Sequence, residues 1–203
     1  MMKVFLINKG HGGMVGGKYV TAPDKMYNHG NGQKAYEGVI NRVIGDKVIR
    51  KLYSLGLSYI DICATNLDTP LKIRLDIINA YCDKYGKDNC LLIDMHSNAG
   101  GGEGFEIWTS PGETDSDKHA KAFFDLFKRT FPDIKTRPGT TDENDGPDKE
   151  ALFTLITKSK CPAILPEFLF FDNFKDYLLL TNYTMQEKYA KMVADYCYSI
   201  RNE

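Results

Sequence analysis

Short apolar runs alternate along this chain with longer stretches in which apolar residues recur every three or four positions. Residues 3–8 (KVFLIN), 57–65 (LSYIDICAT), 90–96 (CLLIDMH), 104–109 (GFEIWT) and 162–167 (PAILPE) are β-favouring and bounded by glycine, proline or polar residues, which predicts strands. Between the first two, Val39, Ile40, Val43, Ile44, Val48, Ile49 and Leu52 fall at helical spacing within 36–54, and a glycine closes the segment. Residues 69–86 open with Thr-Pro and end on Gly86, residues 115–131 open with an acidic first turn, and residues 183–201 read as a terminal helix. The order β-α-β-α-β-β-α-β-α predicts an α/β fold with a mostly parallel twisted sheet of about five or six strands and helices on both faces.

Two segments, 9–35 and 132–149, break the pattern. Irregular connections longer than about 12 to 15 residues inside a compact domain are usually functional or disordered. No repeat, low-complexity tract or linker marks an appended module, so residues 1–203 are expected to form a single catalytic domain.

Composition narrows the function. With 203 residues, 42% hydrophobic and 26% charged, the chain can bury one sizeable core. A formal charge of -1, with only Lys158 and Lys160 as a small basic cluster, gives no reason to expect nucleic acid, whose binders concentrate positive charge. The first residues hold four consecutive apolar side chains, short of the 7 to 15 or so of a signal peptide, and no run approaches the roughly 18 of a membrane span. A soluble product made in the cytoplasm, without membrane insertion and monomeric, is the expectation. The five cysteines, Cys63, Cys82, Cys90, Cys161 and Cys197, are widely spaced in apolar segments and read as core thiols rather than a disulfide or zinc framework. Any metal must then be held by nitrogen and oxygen.

In open parallel sheets, sites form beyond the carboxyl ends of the strands. His11 follows the first strand, His96 ends the third, Glu167 ends a later one, and Glu37 begins the first helix. His11, Glu37 and His96 make a natural zinc set, since catalytic zinc takes three nitrogen or oxygen ligands and keeps a position for water. Glu167 is then placed to take the proton of that water and return it to a leaving nitrogen. Asp94, two residues before His96, projects to the same side of the strand; it either orients the imidazole or is a buried hydrogen-bonded group.

The remaining candidates carry plainer readings. His29 and His119 are expected to be structural or solvated, His119 because it shares a helix with Asp117, Lys118 and Lys121. Asn98 either binds substrate or shapes the turn after the third strand. Arg74 is expected to pair within the fold, and Trp108, Phe168, Phe170 and Phe171 to pack in the core rather than stack on substrate. The glycines around His11 contain neither GxGxxG nor GxxxxGK[ST], and they run into a loop with Pro23 instead of a helix, so nucleotide binding fits poorly.

The segments NKGHGG at His11, YEGVINRVIGDKVIRKL at Glu37, TPLKIRLDIINAY with Arg74, LIDMHSNAGGGEGFEIW at His96 and PAILPEFLFFDN at Glu167 resemble, in the same order, the zinc-dependent N-acetylmuramoyl-L-alanine amidases of the GHGG type. The resemblance implies a peptidoglycan hydrolase that cuts between the lactyl group of muramic acid and L-alanine. It also implies Zn2+ on His11, Glu37 and His96, with Glu167 as the catalytic carboxylate. Three departures stand out: Asn8-Lys9 replaces the family's Asp-Pro, Asp94 stands where serine is common, and Leu169 stands where a glycine precedes phenylalanine. With no recognisable signal segment, a phage-type lysin acting on the wall after release is the expected setting. A zinc peptidase cutting stem peptides and a non-catalytic wall-binding domain are the rival readings.

Overall fold

The computed structural model describes residues 2–21, 25–139 and 146–203; Pro23 and parts of both irregular segments lie outside them. Six strands form the central sheet: β1 (Val4–Lys9), β6 (Ser58–Asp61), β7 (Cys90–Asn98), β8 (Glu106–Thr109), β9 (Lys149–Glu150) and β10 (Ala163–Phe170), in the order β6-β1-β7-β10-β8-β9. Pairing is parallel throughout except between β10 and β8. The α-helices among the described residues are α1 (Glu37–Ser54), α2 (Leu71–Tyr85), α3 (Asp115–Thr130), α4 (Thr154–Lys158), α5 (Phe174–Thr181) and α6 (Tyr183–Ser199). The mostly parallel α/β architecture expected from the alternation is the observed one.

Because successive strand side chains face opposite ways, each central strand feeds two cores. Phe5 and Ile7, Leu91 and Ile93, and Ile164 and Phe168 pack with Ile44 and Val48 of α1, Phe123 and Phe127 of α3 and Tyr189 of α6. Val4 and Leu6, Cys90 and Leu92, and Ala163 and Leu165 pack instead with Ile78 and Cys82 of α2 and Leu155 and Ile156 of α4. All five cysteines are free and buried, as core thiols should be. Extended along its period of two, the second face changes character at the carboxyl ends of the strands. After Leu6 comes Asn8, after Leu92 come Asp94 and His96, and after Leu165 comes Glu167.

The first irregular segment is more ordered than expected. Met14–Val15 (β2) and Lys18–Tyr19 (β3) form one hairpin, and Met26–Gly30 (β4) and Gln33–Tyr36 (β5) another. Their two-residue loops, Gly16-Gly17 and Asn31-Gly32, have positive φ at both positions, the requirement of the turn whose twist suits a hairpin. The short helix α5 was likewise not foreseen; Asn173 caps it by accepting from the N–H groups of Lys175 and Asp176. In the second irregular segment the strand pairing resumes at β9.

Candidate active site

His11 leaves β1 with φ at 62°, a left-handed backbone that costs a non-glycine residue of order 1 kcal/mol or more. Two buried arginines compensate. Arg42 of α1 donates to the His11 carbonyl and to those of Thr65 and Leu67, while Arg74 of α2 donates to the carbonyls of His11, Lys9 and Thr69 and to Asn8 and Asp68. Arg74 thus has the structural role expected of it. Just before it, Gly10 lies against the His96 ring, where an added Cβ would stand 2.3 Å from Cε1.

His11, Glu37 and His96 converge. Glu37 Oε1 lies 3.2 Å from His11 Nε2 and 2.9 Å from His96 Nδ1, and all three donor atoms fall within 4.8 Å of one another. Two imidazole nitrogens and a carboxylate at that spacing could hold a metal ion, the donor types that zinc accepts. Burial would raise the Glu37 pKa, but hydrogen bonds from both histidines outweigh it and hold the carboxyl at about 2. Asn41, one turn along α1, donates to Glu37 Oε1 at 3.3 Å and accepts from Ser97 at 3.0 Å.

Asp94 approaches the other nitrogen of the same imidazole, its Oδ1 3.2 Å from His96 Nε2. Burial would lower the His96 pKa; the Asp94 and Glu37 carboxylates reverse that and raise it well above the usual histidine range. Asn8 is level with Asp94 across β1 and β7 and donates to it through Nδ2. Its Oδ1 accepts from Cys63 at 3.1 Å and Arg74 at 3.2 Å. The negative charge absent at position 8 is therefore present one strand away at position 94. Lys9 projects to the opposite face, where it pairs with Asp46 and Asp61 at 2.8 Å each.

Glu167 is level with His96 across β7 and β10. Its Oε2 is buried with no hydrogen-bond partner among the described residues. Burial pushes its carboxyl up to about 8, aided by Glu37, Asp94 and Glu106 and opposed by His96. A carboxylate in such surroundings is suited to proton transfer near neutral pH. Immediately beyond it β10 is irregular, with buried Leu169 at φ 63°. Leucine thus holds the left-handed conformation that glycine would adopt without strain.

The triad and Glu167 open into a cleft of about 400 Å³ that is also lined by Lys25, Leu71, Leu152, Phe153 and Asn98. Leu152 is 80% exposed and forms an apolar lip. Lys25 Nζ stands 3.9 Å from Glu37 Oε2; nothing in its local sequence signals that approach. Asn98 uses its side chain within the fold, donating to Glu106 at 2.9 Å and accepting from Ala99 N–H at 2.8 Å.

The other two histidines stay out of the triad. His29 Nε2 lies 2.9 Å from the Phe171 carbonyl, and its ring stacks on Tyr177, tying the second hairpin to α5. His119 is buried, not solvated: its Nδ1 lies 2.9 Å from the Tyr196 hydroxyl. The polar neighbours in its sequence occupy a different side of α3. Phe168, Phe170 and Phe171 are buried as expected, while Trp108 is half-buried against Phe153.

Comparison with known proteins places the family and the fold. The family model described as N-acetylmuramoyl-L-alanine amidase matches residues 5–197. No curated protein sequence matches. The chain is similar in structure to an N-acetylmuramoyl-L-alanine amidase from Clostridium difficile 630, with TM-score 0.76, 21% identity, and 98% of this chain and 96% of that chain covered. It is similar also to the catalytic domain of CwlV from Bacillus (Paenibacillus) polymyxa var. colistinus, with TM-score 0.71, 23% identity and coverage of 98% and 97%. The catalytic domain of the CD27L endolysin targeting Clostridia difficile gives TM-score 0.66 and 19% identity, with 100% of both chains covered. The chain belongs to the N-acetylmuramoyl-L-alanine amidase family.

Proposed function

We propose that this chain is a zinc-dependent peptidoglycan amidase that hydrolyses the bond between the lactyl carbonyl of N-acetylmuramic acid and L-alanine. His11, Glu37 and His96 would hold the ion, and Glu167 would move the proton. The observation that carries this reading is Glu167: a carboxyl raised to about 8, its Oε2 without a partner among the described residues, level with one of three converging nitrogen and oxygen donors. Zinc bound there would supply an acidified water and a polarised carbonyl, and its charge would draw the Glu167 pKa down towards neutrality.

The protein's own side chains do the rest. Ionised Glu167 takes a proton from the attacking water, and as the protonated acid it gives that proton to the leaving nitrogen. The products are a muramic acid carboxylate and a stem peptide with a new alanine amino group. Asp94 accepts from His96 Nε2, which leaves Nδ1 directed at Glu37 and the shared donor point, the arrangement that orients a histidine ligand. Arg42 and Arg74 keep His11 in place through its carbonyl. The chain is proposed to act as a single domain and a monomer on the cell wall.

Product identification tests the reading. Zinc-loaded protein incubated with purified sacculi should release intact stem peptides beginning with free alanine, detected by mass spectrometry. Shortened stems would assign a peptidase instead, and sacculus binding without new amino groups would leave a wall-binding domain.

A further inference from the structure

Next to the cleft, on the β8 side, lies a second polar cluster whose link to proton transfer is the charge of Glu106 near Glu167. Glu106 opens β8 and is 2% exposed. Arg137 Nε donates to its Oε1 at 2.6 Å, Lys149 Nζ donates to the same oxygen at 2.7 Å, and Asn98 donates to Oε2 at 2.9 Å. One buried carboxylate thus faces two cations, leaving one positive charge in excess.

Arg137 is held at two points. Its Nε is fixed by Glu106, and its guanidinium lies over the Phe170 ring with Cζ 5.3 Å from the centroid. Its Nη1 and Nη2 have no hydrogen-bond partner among the described residues, and the side chain is 36% exposed. A planar guanidinium immobilised in this way presents its outer N–H groups as a fork that matches a carboxylate, with little rotamer entropy left to lose on binding.

The carboxylate that holds the fork lies two strands from His96. Glu106 is level with Glu167 across β8 and β10, and Glu167 with His96 across β10 and β7. Two strand spacings put the Glu106 backbone roughly 10 Å from that of His96, the span of about three residues of extended peptide.

We propose that Arg137 is a carboxylate anchor, binding a free carboxylate of the stem peptide two or three residues beyond the scissile amide, with Lys149 balancing Glu106. This rests on the amidase reading for the identity of the peptide, although the anchor itself can be measured without turnover.

The zinc-loaded Glu167→Gln protein would be titrated calorimetrically with N-acetylmuramoyl tripeptide carrying free carboxylates, and with the same compound fully amidated. The free form should bind about tenfold tighter, the scale of one charged bidentate pair. Adding Arg137→Gln should bring that ratio close to one, and Arg137→Lys, which keeps the charge and loses the fork, should give an intermediate ratio. Equal binding of the two forms by the parent, a ratio that survives Arg137→Gln, or equal weakening of both forms would each overturn the anchor. Should Arg137→Gln lose cooperative unfolding, a parental ratio in Arg137→Lys would do the same. Failure of the amidase reading would show separately, as an intact muramoyl–alanine bond after incubation with wild-type protein.

Discussion

Two histidines on opposite faces of the sheet, one half-buried and one fully buried, show how neighbours decide what an imidazole can do. His96, at the end of β7 on the α2–α4 face, stands between Asp94 and Glu37 and is held well above the usual histidine pKa. His119, on α3 under the other face, is pushed down to about 4 by burial, with Lys3 and Lys118 adding to the fall. Burial alone disfavours the cation at both sites. At His96 two carboxylates reverse that, and one of them, Glu37, joins His11 and His96 in a donor set that could hold an ion; at His119 the neighbouring cations deepen it, and the ring becomes a neutral packing element.

The sharpest way to break the comparison is to delete each ring. His96→Ala should reduce bound zinc from about one per chain to near zero, whereas His119→Ala should leave it unchanged in metal analysis; zinc retained by the first variant would remove His96 from the ligand set. Glu167→Gln should keep the metal and lower kcat for muropeptide cleavage by about 10²- to 10⁴-fold, and an active variant would displace Glu167 from proton transfer.

A smaller effect tests the neutral ring. Between pH 6.5 and about 4 the unfolded chain carries a proton on His119 that the folded protein does not. Stability should therefore fall as pH drops through that window and level off below it, by about 3 kcal/mol at most. Urea unfolding of metal-free protein should show His119→Phe losing this part of the slope, at the cost of about 1 kcal/mol at pH 8 for the Tyr196 hydroxyl bond. An unaltered slope would mean that His119 titrates normally. Finally, Asp94→Asn should weaken zinc binding about 10- to 100-fold in chelator competition; unchanged affinity would make Asp94 a partner of Asn8 only.

Much of this molecule is legible along the chain. The residues of β1, β7 and β10 alternate between two cores, and the same period carries Asn8, Asp94, His96 and Glu167 to one face of the sheet edge. The two hairpins turn at Gly16-Gly17 and Asn31-Gly32, but their strands are only two to five residues long, too short for an alternation of apolar and polar residues to mark them. The polar sequence around His119 concealed its burial because one helix turn presents both a charged and a buried side. The Glu106, Arg137 and Lys149 cluster had no local signal: its members are 31 and 43 residues apart from Glu106.

By itself, then, the sequence determined the order of strands and helices, the edge where the chemistry gathers, and the residue types gathered there. These depend on periodicities of two and 3.6 that act within a segment. Only the tertiary structure decided the surroundings of each candidate residue. It set Glu37 against two histidines and left Glu167 Oε2 without a partner among the described residues, placed the second carboxylate on Asp94 beside Asn8, and strained His11 and Leu169 into left-handed backbone. Protonation, coordination and strain are properties of a neighbourhood assembled from remote elements, and no stretch of the chain contains that neighbourhood on its own.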